Sequence, residues 1–189
     1  MHIDAAGWLD EAERWPSPFH NERPAPVELL VIHSISLPPA VWGADAVKAL
    51  FTGALNLSAH PYFAGLAGLR VSAHFYIGRA GDIIQFVPTE ARAWHAGVSQ
   101  FNGRANCNDF SIGIELNGAD NLPYTLRQYQ RLAALTRALQ RRYPGLAAIT
   151  GHEHIAPGRK TDPSASFCWP FYGRLLGIKK EALPARSAS

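Results

Sequence analysis

The chain has 189 residues, of which 47% are hydrophobic and 17% are charged, and its formal net charge is +3. This composition is that of a globular protein rather than a disordered one, and the length fits a single domain. The basic residues are scattered and form no stripe with interleaved aromatic residues, so we expect no nucleic-acid partner.

The cysteines and the N-terminal segment bear on the cellular compartment. Cys107 and Cys168 form no CxxC pair, and two thiols this far apart usually stay free in a reducing compartment. The opening sequence MHIDAAGWLDEAERW has no apolar stretch of the kind found in signal peptides, and no later run is long enough to span a membrane. We therefore expect a cytoplasmic protein with no membrane partner.

The first part of the chain predicts one strand and one helix. We expect residues 1–26 to form an irregular arm. The apolar run VELLVIH, residues 27–33, is typical of a strand that is buried on both faces. The segment ADAVKALF, residues 44–51, predicts a short helix, and the small residues that follow predict a long folded loop over residues 53–71.

Two further strand signals follow this loop. Residues 74–77 and 83–87 are apolar runs on either side of a glycine-rich turn, which predicts a hairpin. The segment FSIGIELN, residues 110–117, alternates apolar with small or polar residues, as a strand does.

The clearest helix signal begins at Thr125, which forms a capping-box pattern with Gln128, and it ends at residues 144–145, a Pro-Gly pair. Residues 146–152 are another candidate strand, and residues 171–177 predict a last short helix.

The residues after the last predicted helix, 178–189, form a polar segment that we expect to be a flexible tail. Because strands and helices alternate along the chain, we expect one α/β domain over residues 1–189, with a mixed sheet covered by helices.

Several polar residues at strand ends or in loops could bind a metal ion. His33 ends a strand that should be buried, where it is either a hydrogen-bonded core residue or a ligand. His152 and His154 close a predicted strand and would share one face, so either or both could be ligands. Asp162 lies in a loop that two prolines should stiffen, which suits a ligand as well as a surface turn.

Glu115 and Lys160 are candidates for catalysis. Glu115 interrupts an apolar strand, and a buried carboxylate needs a metal ion, a cation or water nearby. Such a carboxylate could act as a general base towards a metal-bound water. Lys160 could stabilise a developing oxyanion, although a single loop lysine is more commonly just solvated.

Six segments, four of which contain these candidate residues, occur in order along the chain. They are HSISLPP (33–39), SAHFYIG (72–78), AWHAG (93–97), NDFSIGIEL (108–116), GH (151–152) and APGRKTDP (156–163). This set resembles the zinc N-acetylmuramoyl-L-alanine amidases related to peptidoglycan recognition proteins. More narrowly, it looks like the cytoplasmic AmpD-type 1,6-anhydro-N-acetylmuramyl-L-alanine amidases. The resemblance covers residues 8–177.

The resemblance implies a central mixed β-sheet with helices on both faces. It also implies a zinc ion bound by His33, His152 and Asp162, with His154 not a ligand. Glu115 would be the general base and Lys160 the oxyanion partner. The zinc ion would lower the pKa of a water, which would attack the lactyl carbonyl of a muramyl-peptide after giving its proton to Glu115.

Four further residues would contact the substrate, which the resemblance implies is a soluble anhydro-muropeptide. Trp94 and His95 would lie in the substrate groove, and Arg70 would meet the carboxylates of the stem peptide. Ser34 follows the first ligand where AmpD-type enzymes tend to carry Asn, so this substrate contact differs. We expect the chain to act as a monomer.

Two other functions remain open from the sequence. A zinc peptidase could use the His152-x-His154 pair with His74 and Asp82, and would cut within the stem peptide. Alternatively, the chain could bind peptidoglycan without cutting it, although all the candidate ligands and catalytic residues are present.

Overall fold

The computed structural model describes residues 1–178 and 183–184. Its strands, in chain order, are β1 (Glu13–Arg14), β2 (His20–Glu22), β3 (Leu29–Ile35), β4 (Phe75–Ile77), β5 (Ile83–Gln85), β6 (Ala91–Ala93), β7 (Gln100–Phe101), β8 (Arg104–Ala105), β9 (Ser111–Asn117) and β10 (Ala148–Gly151). Six of them form one sheet in the order β1-β5-β4-β9-β3-β10. Only β4 and β5 pair antiparallel in this sheet, so the sheet is mixed, and these two strands form the predicted hairpin.

The helices of the described residues lie on both sides of this sheet. They are α1 (Asp45–Phe51), α2 (Leu126–Arg142), α3 (His152–Ile155) and α4 (Trp169–Leu176), with 3-10 turns at Pro61–Leu66 and Cys107–Asp109. Helix α2 starts at the predicted capping box, in which Thr125 Oγ1 accepts from the Gln128 amide at 3.1 Å and Gln128 Oε1 accepts from the Thr125 amide at 3.0 Å.

The two larger of three buried clusters fill most of the space between the sheet and its helices. On one face, Ile32 and Ile114 pack with Leu132 and Leu139 of α2 and with Tyr172 of α4. On the other face, a second cluster contains the buried residues of α1 together with aromatic side chains of the hairpin region. The predicted fold class, a central mixed sheet with helices on both faces, is therefore confirmed.

The register of β3 and β9 determines which side chains reach the second face. These parallel strands pair residue by residue, with His33 opposite Glu115. Because side chains alternate along a strand, His33 and Glu115 point away from the face on which Ile32 and Ile114 contact α2. Ser111 shares the face of Glu115, since it lies four residues earlier on β9.

The structure differs from the predicted elements at the end of β10. The strand predicted over residues 146–152 ends at Gly151, and His152 begins helix α3. The chain turns there because the Glu153 amide donates to the Asp162 carbonyl at 2.8 Å, and because the Ala156 amide donates to the His152 carbonyl at 3.0 Å. The prediction that His152 and His154 share one face of a strand is therefore wrong.

Smaller differences occur at the chain ends. Residues 1–26, predicted to be an irregular arm, contain β1 at the edge of the main sheet and β2, which pairs with β6. The first buried strand begins at Leu29 and continues to Ile35, two residues beyond the predicted end. The flexible tail predicted for residues 178–189 lies, apart from residues 178, 183 and 184, outside the described residues.

Two predictions about the whole chain can be compared with the structure. Both cysteines are free, with Cys107 buried and Cys168 exposed. Among the described residues, no helix combines the length and apolar character needed to cross a membrane.

Candidate metal centre

Three side chains that are far apart in the sequence meet at one end of the sheet. The Nδ1 atoms of His33 and His152 are 3.0 Å apart, and the Oδ2 atom of Asp162 lies 3.1 Å from the first and 3.2 Å from the second. These three atoms form a nearly regular triangle, and all three residues line one cleft. In the part of the chain that the structure describes, they are the group of side chains placed to share a metal ion.

The backbone brings these residues together through strand pairing and one loop contact. Strand β10 pairs parallel to β3, with Gly151 opposite Ile32, so that His152 starts directly beside His33. The loop that carries Asp162 is joined to α3 by the hydrogen bond between the Glu153 amide and the Asp162 carbonyl. All three ligand candidates are therefore positioned by hydrogen-bonded backbone.

The triangle fits a small divalent cation. A tetrahedral zinc site with bonds of about 2.0–2.1 Å holds its ligand atoms about 3.3–3.4 Å apart, slightly farther than the distances observed here. Two imidazoles and one carboxylate are also a common set of protein ligands for zinc. An unprotonated nitrogen and a carboxylate oxygen repel each other at this distance unless a cation or a proton lies between them. The donor set therefore fits zinc.

The electrostatic environment keeps the first histidine neutral, as a ligand must be. Burial lowers the pKa of His33 to about 4, from an ordinary value of 6.5. Burial tends to raise the pKa of Asp162, but the close contacts with His152 and His33 outweigh burial and hold this pKa below its usual range. At neutral pH the site therefore offers a neutral imidazole from His33 and an ionised carboxylate from Asp162.

The nitrogens that face away from the triangle also have partners. His152 Nε2 lies 3.0 Å from the carbonyl oxygen of Ala96, and His33 Nε2 lies 2.9 Å from Nδ1 of His95. Because a carbonyl only accepts hydrogen bonds, and because the donor Arg159 lies farther from this atom at 3.5 Å, His152 carries a proton on Nε2 and leaves Nδ1 free for a metal ion.

Glu115 lies beside the triangle and is almost completely buried. Its side chain is 9% exposed, and its Oε2 atom has no hydrogen-bond partner among the described residues. Burial raises the pKa of Glu115 well above its ordinary value, and the negative charge of Asp162 raises it further, while Lys160 acts in the opposite direction. A carboxylate with a raised pKa and a free oxygen is suited to accepting a proton.

The cleft above the triangle has a volume of about 920 Å³ and a mixed lining. Leucine side chains from the loop before β4 form an apolar part, and Lys160 is an exposed cation at its edge. Ser34, Arg70 and Trp94 also line the cleft, with Arg70 exposed. The indole of Trp94 donates to Asn21 Oδ1 at 2.7 Å, which fixes the ring.

The structure places His95 differently from the other predicted substrate contacts. It borders the cleft, but its ring is buried and both ring nitrogens already have partners, His33 Nε2 at 2.9 Å and Ser111 Oγ at 3.1 Å. Burial holds the pKa of His95 well below its ordinary value, so the ring is neutral. His95 therefore contacts a candidate ligand rather than offering a free polar atom to the cleft.

The sequence reasoning missed several residues that support the site. Asn108 Oδ1 accepts from the amides of His95 and Ala96 at 3.1 and 2.8 Å, and Arg159 donates to the Ala96 carbonyl at 2.7 Å. Asn108 lies within the segment NDFSIGIEL and Arg159 within the segment APGRKTDP. Their position within these segments was the sequence signal that could have identified them. They were missed because neither residue type is a usual metal ligand or general base.

The ligands of a rival zinc peptidase do not come together. The imidazole of His154 lies against Trp169, with ring centres 5.9 Å apart, and its Nδ1 accepts from the Gly151 amide at 3.3 Å. His74 Nδ1 accepts from the Gly113 amide at 3.0 Å, and Asp82 lies against Gly78 in the hairpin turn. This geometry does not support the peptidase alternative.

Comparisons with known proteins agree with this geometry. The sequence profile described as N-acetylmuramoyl-L-alanine amidase matches residues 23–165. The 1,6-anhydro-N-acetylmuramyl-L-alanine amidase AmpD of Citrobacter freundii is 58% identical over 173 residues, which cover 90% of this chain and 92% of that protein. The Escherichia coli protein of the same name is 58% identical over 166 residues, covering 86% and 91%.

Solved structures of amidases have a similar fold. A crystal structure of a selenomethionine derivative of AmpD superimposes with a TM-score of 0.91 at 56% identity, covering 95% of this chain and all of that chain. The Escherichia coli amidase AmiD, in complex with the substrate anhydro-N-acetylmuramic acid-L-Ala-D-gamma-Glu-L-Lys, has a TM-score of 0.59 at 28% identity, covering 84% and 61%.

Proposed function

The chain belongs to the N-acetylmuramoyl-L-alanine amidase family, and we propose that it uses zinc to release the stem peptide from 1,6-anhydro-N-acetylmuramyl-peptides. The bond cut is the amide between the muramic-acid lactyl group and L-alanine. The observation that carries this proposal is the triangle of His33, His152 and Asp162, which lies in the cleft beside the buried carboxylate of Glu115. The names of the relatives that are 58% identical support the choice of substrate.

The ligand set suits hydrolysis as well as binding. When bound, zinc supplies a Lewis acid that makes water more acidic and polarises a carbonyl. His33, His152 and Asp162 would hold the ion through three protein ligands, the number that catalytic zinc sites use. With two imidazoles and one carboxylate as its ligands, the bound ion would keep a net charge of about +1 and would supply an attraction for oxygen ligands.

In this proposal Glu115 moves the proton. Its free Oε2 accepts the proton of the attacking water and later delivers it to the departing alanine nitrogen. The raised pKa of Glu115 helps the second step, since the protonated carboxyl must persist until the amide bond breaks. The pairing of the two parallel strands holds this base opposite His33, the proposed metal ligand.

Lys160 supplies positive charge to the oxyanion that forms on the lactyl carbonyl. It lies two residues before the proposed ligand Asp162, on the same loop, and it is exposed at the edge of the cleft. A fixed charge at this position stabilises the transition state more than the substrate, because the negative charge develops only during the reaction.

Three cleft residues are proposed to hold the substrate. Arg70 would pair with a carboxylate of the stem peptide, Trp94 would provide a rigid wall, and Ser34 would offer a short polar contact next to His33. AmiD is described in complex with an anhydro-muramyl-peptide, which supports such a cleft for this ligand. We also propose a monomer that acts in the cytoplasm in peptidoglycan recycling, where the thiols of Cys107 and Cys168 would remain free.

Chelation and metal replacement test the proposal. Removal of metal should abolish hydrolysis of an anhydro-muropeptide, and one equivalent of zinc should restore it. Hydrolysis that survives complete removal of metal would contradict the proposal. Zinc binding without hydrolysis would favour the alternative of a non-catalytic binding module.

A further inference from the structure

A chain of hydrogen bonds leads away from the proposed metal ligand His33 into the protein. His33 Nε2 lies 2.9 Å from His95 Nδ1, His95 Nε2 lies 3.1 Å from Ser111 Oγ, and Ser111 Oγ donates to the Cys107 carbonyl at 2.5 Å. His33, His95 and Ser111 are all buried, so water does not compete for these contacts.

The hydrogen bond from Ser111 to Cys107 determines which group donates and which accepts in the whole series of hydrogen bonds. A carbonyl oxygen only accepts, so the single hydroxyl proton of Ser111 points at Cys107, and Ser111 Oγ accepts from His95 Nε2. A neutral His95 with its proton on Nε2 has a lone pair on Nδ1. His33 must then donate from Nε2, and its own lone pair is on Nδ1, the atom that faces His152 and Asp162.

We infer that His95 and Ser111 are positioning residues that hold His33 in the tautomer whose Nδ1 atom can bind zinc. This inference rests on the proposed zinc site and assigns His95 a role other than contact with substrate. If His95 instead donated from Nδ1 to His33 Nε2, a neutral His33 would carry its proton on Nδ1. That proton would have to be lost before a metal ion could bind.

The space around His95 is built to hold the ring in this place. A Cβ atom added at Gly113 would lie 2.5 Å from Cγ of His95, so that only glycine leaves room for the imidazole above β9. The ring meets that of His33 nearly at a right angle, with an interplanar angle of 84°. Gly113 and Ser111 lie on the face of β9 that also carries Glu115.

The short segment that carries His95 also supports His152, the second proposed imidazole ligand. The carbonyl of Ala96 faces His152 Nε2, while the imidazole of His95 faces His33 Nε2. The side-chain oxygen of Asn108 accepts from the amides of both His95 and Ala96, which fixes their relative position. Two adjacent residues therefore orient both proposed imidazole ligands.

An isosteric pair of variants separates this role from simple packing. His95→Asn keeps an acceptor at the position of Nδ1, whereas His95→Leu has the same shape and no acceptor. We expect His95→Leu to weaken zinc binding by about 10- to 100-fold. His95→Asn should bind zinc with an affinity close to that of the parent. Likewise, Ser111→Ala should weaken binding and Ser111→Thr should retain it, as measured by competition with a chelator of known affinity.

Thr136→Val serves as a control for lost stability. Thr136 hydrogen-bonds Tyr172 at 2.6 Å in the core on the opposite face of the sheet, so this variant should unfold more easily and bind zinc as the parent does. Equal zinc affinity of the Asn and Leu variants of His95 would overturn the inference.

The tautomer can also be read directly in the metal-free parent, without any variant. Long-range nitrogen–proton NMR correlations of the imidazole rings should show a proton on Nε2 of both His33 and His95, and any proton that takes the place of zinc in the triangle should be additional to these two. A proton on His33 Nδ1 alone would overturn the inference, even if the variants failed to fold. If the parent protein had this tautomer but bound no zinc, the proposed function would be contradicted. The assignment of donors and acceptors in the series of hydrogen bonds would still hold.

Discussion

His33 and Glu115 lie directly opposite each other on the neighbouring parallel strands β3 and β9, and both side chains leave the same face of the sheet. A proposed metal ligand and a proposed base are thus held by paired backbone rather than by loops. Such rigid placement is the usual requirement for a preorganised catalytic site. It also buries the Glu115 carboxylate, which costs stability.

The first prediction concerns the metal ligands. The parent chain should bind one zinc ion, whereas His33→Ala and Asp162→Ala should each lose most of it, because two remaining ligands hold zinc poorly. His154→Ala is the matched control, since its ring lies against Trp169 and should not affect zinc content. Elemental analysis of the purified proteins checks this, and full zinc occupancy in both ligand variants would refute the assignment.

The second prediction concerns the base. Glu115→Gln keeps the shape of the side chain but cannot accept the proton, so kcat should fall by about 100- to 10,000-fold. Zinc content should stay at that of the parent, because Glu115 is not a ligand. Turnover at the parental rate would show that another group moves the proton.

The third prediction concerns stability and pH. The folded state raises the pKa of Glu115 above 4.5, so it favours the protonated carboxyl, and the parent loses stability as pH rises through this raised pKa. Glu115→Gln has no such charge, so its metal-free form should be more stable than the metal-free parent at pH 7. The free energies of unfolding of the two metal-free proteins should become similar below pH 4.5. Urea unfolding across this range measures the difference, and a less stable Gln variant at pH 7 would contradict the account.

The fourth prediction concerns Lys160. Lys160→Ala should lower kcat by about 100- to 1,000-fold with zinc retained, because one partner of the oxyanion is lost. Lys48→Ala removes a lysine that pairs with Glu13 and lies outside the cleft, so it should leave kcat unchanged. If both variants kept the rate of the parent, Lys160 would have no part in the reaction.

Local signals in the sequence were sufficient for some elements. Helix α2 begins where Thr125 and Gln128 form the capping box, because that motif needs only neighbouring residues. The hairpin of β4 and β5 was also predictable, since the glycine-rich turn lies between its strands.

Other features depend on contacts between distant residues. Spacing alone left His152 and His154 as alternatives, because helix α3 forms through a hydrogen bond to the Asp162 loop. The ligand set came from the resemblance to a family, not from spacing. The position of His95 against His33 could not be predicted, since it depends on the space left by Gly113 on another strand.

Mass spectrometry of the products from a defined anhydro-muropeptide tests the central claim most directly. The bond cut identifies the reaction, because an amidase separates the lactyl group from L-alanine, whereas a peptidase cuts between amino acids of the stem peptide. We expect two products, the free anhydro-muramyl sugar and the intact stem peptide with L-alanine at its amino terminus. Fragments cut within the stem peptide, or an unchanged substrate in the presence of bound zinc, would contradict the account.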